Sequence, residues 1–143
     1  MKKILLIDDD KVFLKTVSDS LSTKDYKVIV AKDGEEGFQI IKEEKPDLIL
    51  LDILMPNIGG MDFLKLIKED QKLNKIPVLI VSNFTSMYYI EEGIKLGARG
   101  YIIKSNESLK TITDTIESIL EKAAGLGVEP RCHDSESCIL PIR

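Results

Sequence analysis

Acidic, hydroxyl and basic residues follow several short runs of β-branched and aliphatic residues in this sequence. They are Asp8, Asp9 and Asp10 after the first run, Asp52 at the end of the third, Ser82 at the end of the fourth and Lys104 at the end of the fifth. Crowded carboxylates repel one another, and a bound Mg²⁺ relieves that repulsion while it keeps water and phosphate oxygens as further ligands. A carboxylate can also act as a nucleophile and form an aspartyl phosphate, with an ammonium and a hydroxyl holding the phosphoryl oxygens. These residue types therefore favour phosphoryl chemistry, provided that the fold brings them together.

The elements that must position these side chains are a regular series of strands and helices. The pattern predicts five strands, at Lys3–Ile7, Lys27–Ala31, Asp47–Asp52, Ile76–Ser82 and Gly100–Lys104. The segments between them carry apolar residues at helical spacing, for example Leu14, Val17 and Leu21. The third and fourth runs are apolar without alternation, which is typical of strands buried on both faces of a parallel sheet. We therefore predict a doubly wound α/β domain with helices on both faces, and a site at the carboxyl ends of the strands.

Local signals predict where some of these helices begin and end. Asp33 followed by Glu36 is typical of a capping box at the start of the second helix. Gly97 lies where the fourth helix is expected to end, because glycine readily adopts the left-handed conformation that terminates a helix. Asp10, which has no evident part in the chemistry, is interpreted as the start of the first helix or as a solvated residue.

Composition and charge exclude several classes of function. The formal net charge is -4, so direct binding of nucleic acid is not expected, because that binding depends on a basic surface. The two cysteines lie near the end of the chain and cannot form a disulfide framework, which indicates a reducing compartment. Only Ile4 to Ile7 are apolar after the initial lysines, which is too short for a signal peptide, and no apolar run could span a membrane. A cytoplasmic protein without membrane contact is therefore predicted.

These motifs together resemble the receiver domain of response regulators in two-component signalling. The resemblance runs from Lys2 to about Lys122. Its anchors are Ile7 to Asp10, Leu51 to Pro56 with Gly60 further on, Val81-Ser82, and Gly97 to Lys104. The resemblance implies a flavodoxin-like, five-stranded parallel sheet with strand order 2-1-3-4-5. It also implies a phosphorelay protein that acts as a phosphoacceptor switch rather than as an enzyme, assisting its own phosphorylation and dephosphorylation.

The resemblance assigns a role to each site residue. Asp52 would accept a phosphoryl group from the phosphohistidine of a histidine kinase or phosphotransfer protein. Mg²⁺ would be bound by Asp9, Asp52 and the backbone carbonyl of Leu54, with Asp8 in support through water. Ser82 and Lys104 would hold the phosphoryl oxygens. Ser82 and Tyr101 would form the switch, with the Tyr101 ring outward or in mixed orientations without phosphate and inward with it.

The expected output surface is made by helix 4, strand 5 and helix 5. A downstream protein target would bind there, and a dimer that depends on phosphorylation is a further expectation. One departure from the family pattern concerns Ser105, which stands where receivers usually have proline after the lysine. A cis peptide bond before serine would cost about 2.5–4 kcal/mol, so a trans bond is predicted, with Ser105 as a candidate cap for the last helix.

Two alternatives stay open at this stage. The chain could be a protein-interaction module of receiver fold that signals without phosphorylation, or the receiver fragment of a longer regulator. We predict a receiver domain over residues 1–124 and a tail over residues 125–143 without regular structure. Cys132, His133 and Cys138 in that tail offer too few ligands at zinc-site spacing to favour a metal.

Overall fold

Strands and helices alternate along the chain in a computed structural model that describes residues 2–53, 59–83, 86–105, 108–121 and 138–139. The strands are β1 (Lys2–Ile7), β2 (Tyr26–Ala31), β3 (Leu48–Leu51), β4 (Val78–Ser82), β5 (Gly100–Ile103) and β6 (Cys138–Ile139). The helices are α1 (Lys11–Ser22), α2 (Gly34–Glu44), α3 (Gly60–Glu69), α4 (Met87–Lys95) and α5 (Leu109–Glu121). The five predicted strands are all present, with ends that differ from the prediction by at most two residues.

The sheet has the predicted parallel order, β2-β1-β3-β4-β5. In the register of the central strands, Ile7 at the end of β1 lies beside Ala31 of β2 and Leu51 of β3. Ser82 at the end of β4 lies beside Ile103 of β5. The carboxyl ends of β1, β3, β4 and β5 therefore form one edge, at which the residues that follow each strand can meet.

Two apolar layers cover the faces of the sheet. Leu5 and Ile7 face the layer that contains Phe63 of α3 and Ile90 of α4, whereas Ile4 and Leu6 face the layer built with α1 and α5. Both sets of strand residues are almost completely buried. This two-sided burial explains why the central strands are apolar without alternation, and it fixes the strands that carry the site residues.

The predicted helix ends are largely confirmed. The Asp10 carboxylate caps α1 by accepting hydrogen bonds from the N–H groups of Val12 (3.1 Å) and Phe13 (3.2 Å). Asp33 caps α2 by accepting from the Glu36 N–H at 2.8 Å. The Glu36 carboxylate accepts from the N–H of Lys32 rather than from Asp33, so only one half of the capping box forms as predicted.

The ends of α4 and α5 give one confirmation and one correction. Gly97 follows α4 with a φ of +98°, and its N–H donates to the Ile94 carbonyl, as expected for a glycine that ends a helix. The prediction that Ser105 caps α5 is wrong. Ser108 takes that place because α5 begins three residues later than the prediction required, and the Ser108 hydroxyl accepts from the Thr111 N–H at 3.2 Å.

The tail differs from the prediction at two residues. Cys138 and Ile139 form β6, which adds an antiparallel strand to the free edge of β5. An exposed strand edge offers unpaired backbone N–H and C=O groups, and any extended segment of sufficient reach can pair with them. The sequence pattern of the tail alone does not contain this information. The candidate ligands Cys132 and His133 lie outside the described residues. None of the helices that the structure describes is both long and apolar enough to cross a membrane.

Candidate functional site

Three carboxylates meet at the carboxyl edge of the sheet because β1 and β3 are neighbours. The Asp8 N–H donates to the Ala31 carbonyl of β2 (3.1 Å), and the Asp52 N–H donates to the Ile7 carbonyl of β1 (3.0 Å). These bonds continue the sheet by one residue and hold both aspartates at its edge. One carboxylate oxygen from each of Asp8, Asp9 and Asp52 lies within 4.8 Å of the others. Asp8 and Asp52 are buried, whereas Asp9 is exposed and leaves the cluster open to solvent on one side.

Among the described residues, Lys104 is the positive charge that lies within ion-pair distance of this cluster. Its N–H donates to the Ser82 carbonyl at 2.8 Å, which ties the residue after β5 to the end of β4. Its Nζ lies 2.6 Å from Asp8 Oδ2 and 3.8 Å from Asp52 Oδ2. The same ammonium lies over the ring of Phe13, 4.4 Å from the ring centroid. Lys104 is therefore held between two carboxylates and an aromatic face, with its shortest contact to Asp8.

The electrostatic environment makes Asp52 distinct from an ordinary aspartate. Burial raises the pKa of Asp52 to about 6, and the neighbouring charge of Asp8 raises it as well. The Lys104 ammonium and hydrogen bonds from the Ser82 hydroxyl and the Ile53 N–H oppose this rise. The Ile53 N–H donates to Asp52 Oδ1 at 2.8 Å, which fixes the orientation of the carboxylate. Asp52 therefore stays ionised at neutral pH, but at an energetic cost that a cation or a covalent modification would relieve.

Ser82 and Tyr101 lie side by side behind Asp52. Both are buried, and Tyr101 has no exposed surface. Burial raises the pKa of Tyr101 to about 12, while the hydrogen bond with the Ser82 side chain lowers it. The Ser82 hydroxyl thus interacts with both Asp52 and Tyr101. The complete burial of Tyr101 places its ring in the inward orientation. This inward orientation is the one predicted for the phosphorylated form, and the movement of the ring stays a prediction.

The structure brings together the site residues Asp8, Asp9, Asp52, Ser82 and Lys104, as the sequence motifs predicted. The predicted backbone ligand, Leu54, lies outside the described residues. The resemblance implied that Asp8 supports a metal ion and that Lys104 holds phosphoryl oxygens, and it gave no indication that these two side chains form a direct ion pair.

Two further residues contribute to the site. Phe13 carries no specific signal in the sequence, because an aromatic residue in the first turn of a helix is common in any fold. Gly60 stands in the sequence only as part of a motif. A Cβ atom on Gly60 would lie 2.6 Å from the Ile53 Cα and 3.0 Å from the Asp52 carbonyl carbon. The start of α3 therefore packs directly against the backbone that carries Asp52, and only glycine allows this approach.

Comparison with known proteins agrees with this geometry. The family model described as the response regulator receiver domain matches residues 4–117, which include every strand and helix from β2 to β5 and most of β1 and α5. This chain belongs to the response regulator receiver domain family. The polar-differentiation response regulators DivK of Brucella anthropi and Brucella ovis are both 32% identical to it over 122 residues. Each of those matches covers 85% of this chain and 98% of the relative.

Solved receiver structures show the same architecture. The chemotaxis protein CheY4 of Vibrio cholerae is 30% identical, with a TM-score of 0.75, and the match covers 82% of this chain and 97% of that chain. A CheY-like receiver domain protein of Methanospirillum hungatei is 25% identical, with a TM-score of 0.80, and covers 87% of this chain and 97% of that chain. The predicted fold and strand order of a receiver domain are thus confirmed.

The donor set of this receiver domain fits a hard divalent cation. Carboxylate oxygens are the ligands that Mg²⁺ prefers, and Mg²⁺ usually takes only one or two of them together with water. The cluster of Asp8, Asp9 and Asp52 offers oxygens from three side chains, one of them exposed to solvent. Its negative charge exceeds the single positive charge of Lys104, so a cation would reduce the repulsion that raises the pKa of Asp52.

Proposed function

We propose that this receiver domain is a phosphoacceptor switch in a two-component or phosphorelay system, and that Asp52 is the residue that becomes phosphorylated. The observation that carries the proposal is the position of Asp52, whose carboxylate lies among two other carboxylates, the Lys104 ammonium and the Ser82 hydroxyl. The phosphodonor is the phosphohistidine of a histidine kinase or phosphotransfer protein. The membership of the receiver family and the likeness to DivK response regulators support this class of partner.

In the proposed reaction, a carboxylate oxygen of Asp52 attacks the phosphorus of the phosphohistidine. A new O–P bond forms, the N–P bond breaks, and the imidazole of the donor leaves with the bonding electron pair and takes up a proton. Asp52 must be ionised to attack, and a pKa of about 6 keeps it so at neutral pH. Phosphoryl transfer needs mainly position and charge stabilisation from the protein, which the fixed side chains here supply.

Magnesium is the cofactor of this proposal. Asp9 and Asp52 would hold the ion, with Asp8 in support, and it would neutralise charge on the phosphoryl oxygens. Lys104 can also contact a phosphoryl group on Asp52, because its ammonium already lies 3.8 Å from the Asp52 carboxylate. When Asp52 carries a phosphoryl group, Lys104 contacts a phosphoryl oxygen and gives up part of its ion pair with Asp8. The chain assists its own phosphorylation and dephosphorylation in this way but turns over no separate substrate, so we do not class it as an enzyme.

The output of the proposed switch passes through Ser82 to Tyr101. A charge-assisted hydrogen bond from Ser82 to a phosphoryl oxygen is worth roughly 1.5–3 kcal/mol, which changes a two-state ratio by roughly 10- to 150-fold. Because Ser82 also bonds to Tyr101, its displacement alters the packing of that ring beneath α4. A downstream protein target on the surface of α4, β5 and α5 would read this change, and so would a second copy in a dimer that depends on phosphorylation. We place these events in the cytoplasm.

The test is incubation of the full chain with Mg²⁺ and acetyl phosphate, followed by intact-mass spectrometry. Wild type should gain one phosphoryl mass, and Asp52→Asn should gain none. The exposed α1 residue Asp19 provides a matched control, and Asp19→Asn should be labelled like wild type. Equal labelling of wild type and Asp52→Asn would contradict the assignment of the phosphoacceptor. Absence of labelling in all three would favour an interaction module that signals without phosphate.

A further inference from the structure

The outer edge of β5 is covered by a segment of the same chain. β6 runs antiparallel to β5, with Ile139 opposite Tyr101 and Cys138 opposite Ile102. The receiver-domain match ends at residue 117, so this strand lies beyond the part of the chain that the family shares. We propose that the edge of β5 is a strand-addition site, and that the C-terminal segment around β6 is its intramolecular occupant. The segment would then compete with any extended peptide of a partner that pairs with β5.

The sequence of β5 explains why its edge needs an occupant. Natural sheets protect their edge strands with charged residues, proline or bulges, because an unprotected edge pairs with other extended chains. The opposite edge strand, β2, contains Lys27, whose ammonium lies 3.6 Å from the Glu44 carboxylate. β5 has the sequence Gly-Tyr-Ile-Ile, with no charge and no proline, and all four residues are buried. Of the two edges of the parallel sheet, the β5 edge is therefore the one suited to accept a further strand.

The tail has the composition and the length to reach this edge. Cys138, Ile139 and Leu140 are apolar, and Pro141, which follows them in the sequence, has no backbone N–H with which to extend a ladder. The 16 residues from 122 to 137 connect α5 to β6 and can extend over about 53–58 Å. The 13 residues of α5 measure about 20 Å along the axis, so the connection can return along the whole helix. A connection of this length gives the segment an effective concentration at the edge in the millimolar range.

The location of the edge determines what the segment excludes. Tyr101 belongs to the apolar layer that contains Ile90 of α4, and Ile102 belongs to the layer that contains Ile112 of α5. The edge of β5 therefore lies between α4 and α5, within the surface that we assign to the downstream target. The partner that fits is an extended peptide with an apolar residue opposite Tyr101, and the chain's own segment already provides this pattern. The pairing of β6 with β5 does not require phosphorylation, so the tests use the unphosphorylated full chain.

Hydrogen exchange measured by mass spectrometry tests whether the segment pairs in solution. The Cys138→Pro, Ile139→Pro double variant removes both backbone donors of β6. The β5 peptide that contains Tyr101 and Ile102 should then exchange about tenfold faster than in wild type. A control with two prolines outside the strand, Ser135→Pro with Glu136→Pro, should exchange like wild type. Equal exchange of the β5 peptide in wild type and the double variant would overturn the proposal.

Competition in trans tests the occupancy and the chemistry of the partner. The probe is a fluorescent synthetic peptide with the sequence of residues 136–143, used under reducing conditions. It should bind the double proline variant at least about tenfold more tightly than wild type, because the variant no longer supplies an intramolecular competitor. Equal binding to both proteins, or binding to neither, would overturn the proposal. Light scattering should show that wild type is a monomer. A wild-type dimer that becomes a monomer in the double variant would overturn the intramolecular pairing, because the segment would then pair between chains.

Discussion

Replacement of Asp52 by asparagine should stabilise the metal-free receiver domain. The change removes a charge but keeps the shape of the side chain, and the amide oxygen can still accept the 2.8 Å hydrogen bond from Ile53. The raised pKa gives the magnitude, because a rise from 3.8 to about 6 corresponds to about 3 kcal/mol at a pH well above both values. Since local rearrangement recovers part of this cost, we expect the free energy of unfolding to increase by about 1–3 kcal/mol.

The pH dependence follows from the direction of the pKa shift. The folded state binds the Asp52 proton more tightly than the unfolded state, so wild type loses stability as the pH rises from about 4 to about 6. The cost is fully present above pH 7 and absent well below pH 4. The advantage of Asp52→Asn should therefore decrease at pH 4.5 to about one third of its value at pH 7.5. Mg²⁺ should also reduce the advantage, because it stabilises only the protein that keeps the carboxylate.

Urea denaturation in EDTA at pH 7.5 and pH 4.5, followed by a titration with Mg²⁺ at pH 7.5, measures each of these effects. Asp19→Asn serves as the control, and its free energy of unfolding should stay within about 0.5 kcal/mol of wild type. A decrease in stability for Asp52→Asn at pH 7.5 would refute the reasoning. So would an advantage that increases at the lower pH, since that result would require a lowered pKa of the folded carboxyl group.

Three further predictions concern the surroundings of the phosphoacceptor. Gly60→Ala should lower the free energy of unfolding by about 2 kcal/mol or more, because its Cβ meets backbone atoms. In the control Gly59→Ala, the Cβ would lie 3.8 Å from its nearest neighbour, so the loss should be less than about 1 kcal/mol. Equal losses for the two variants in urea denaturation would contradict the packing argument. Phe13→Leu should slow labelling by acetyl phosphate about 2- to 30-fold, because the Lys104 ammonium loses the aromatic ring that it contacts. The control Phe38→Leu removes a similar contact with Lys42 that is remote from the site, and it should leave the labelling rate unchanged. Lys104→Met should slow labelling but strengthen Mg²⁺ binding about tenfold, because the ammonium no longer competes with Mg²⁺ for the carboxylates. Weaker Mg²⁺ binding by the variant in calorimetry would argue against this competition.

The fold was predictable because its signals are local or repetitive. The apolar runs from Leu48 and from Val78 indicate two-sided burial by themselves, and Asp10 and Asp33 are residue types that begin helices. The carboxyl ends of parallel strands then place Asp8, Asp52 and Lys104 at one edge without any knowledge of side-chain conformation.

The parts that could not be predicted depend on distances between side chains. Nothing in the sequence indicates that Lys104 lies closer to Asp8 than to Asp52, or that the Phe13 ring lies beneath its ammonium. Ser105 and Ser108 are equally good caps by residue type, and only the length of the turn after β5 decides between them. The pairing of Ile139 with β5 requires a contact between residues far apart in sequence, which neither periodicity nor composition specifies.

The ion pair between Lys104 and Asp8 joins residues that are 96 positions apart in the chain. Asp8 and Asp52 lie at the ends of two different strands, and Lys104 follows a third. No fragment of the chain that lacks one of these strands can assemble the site. The entropy cost of closing the long loops between these residues is offset only when all the strands of the sheet are paired. A cation or phosphoryl group at this site therefore stabilises the completely folded state and not the partly folded states. Its binding increases the fraction of molecules that are completely folded.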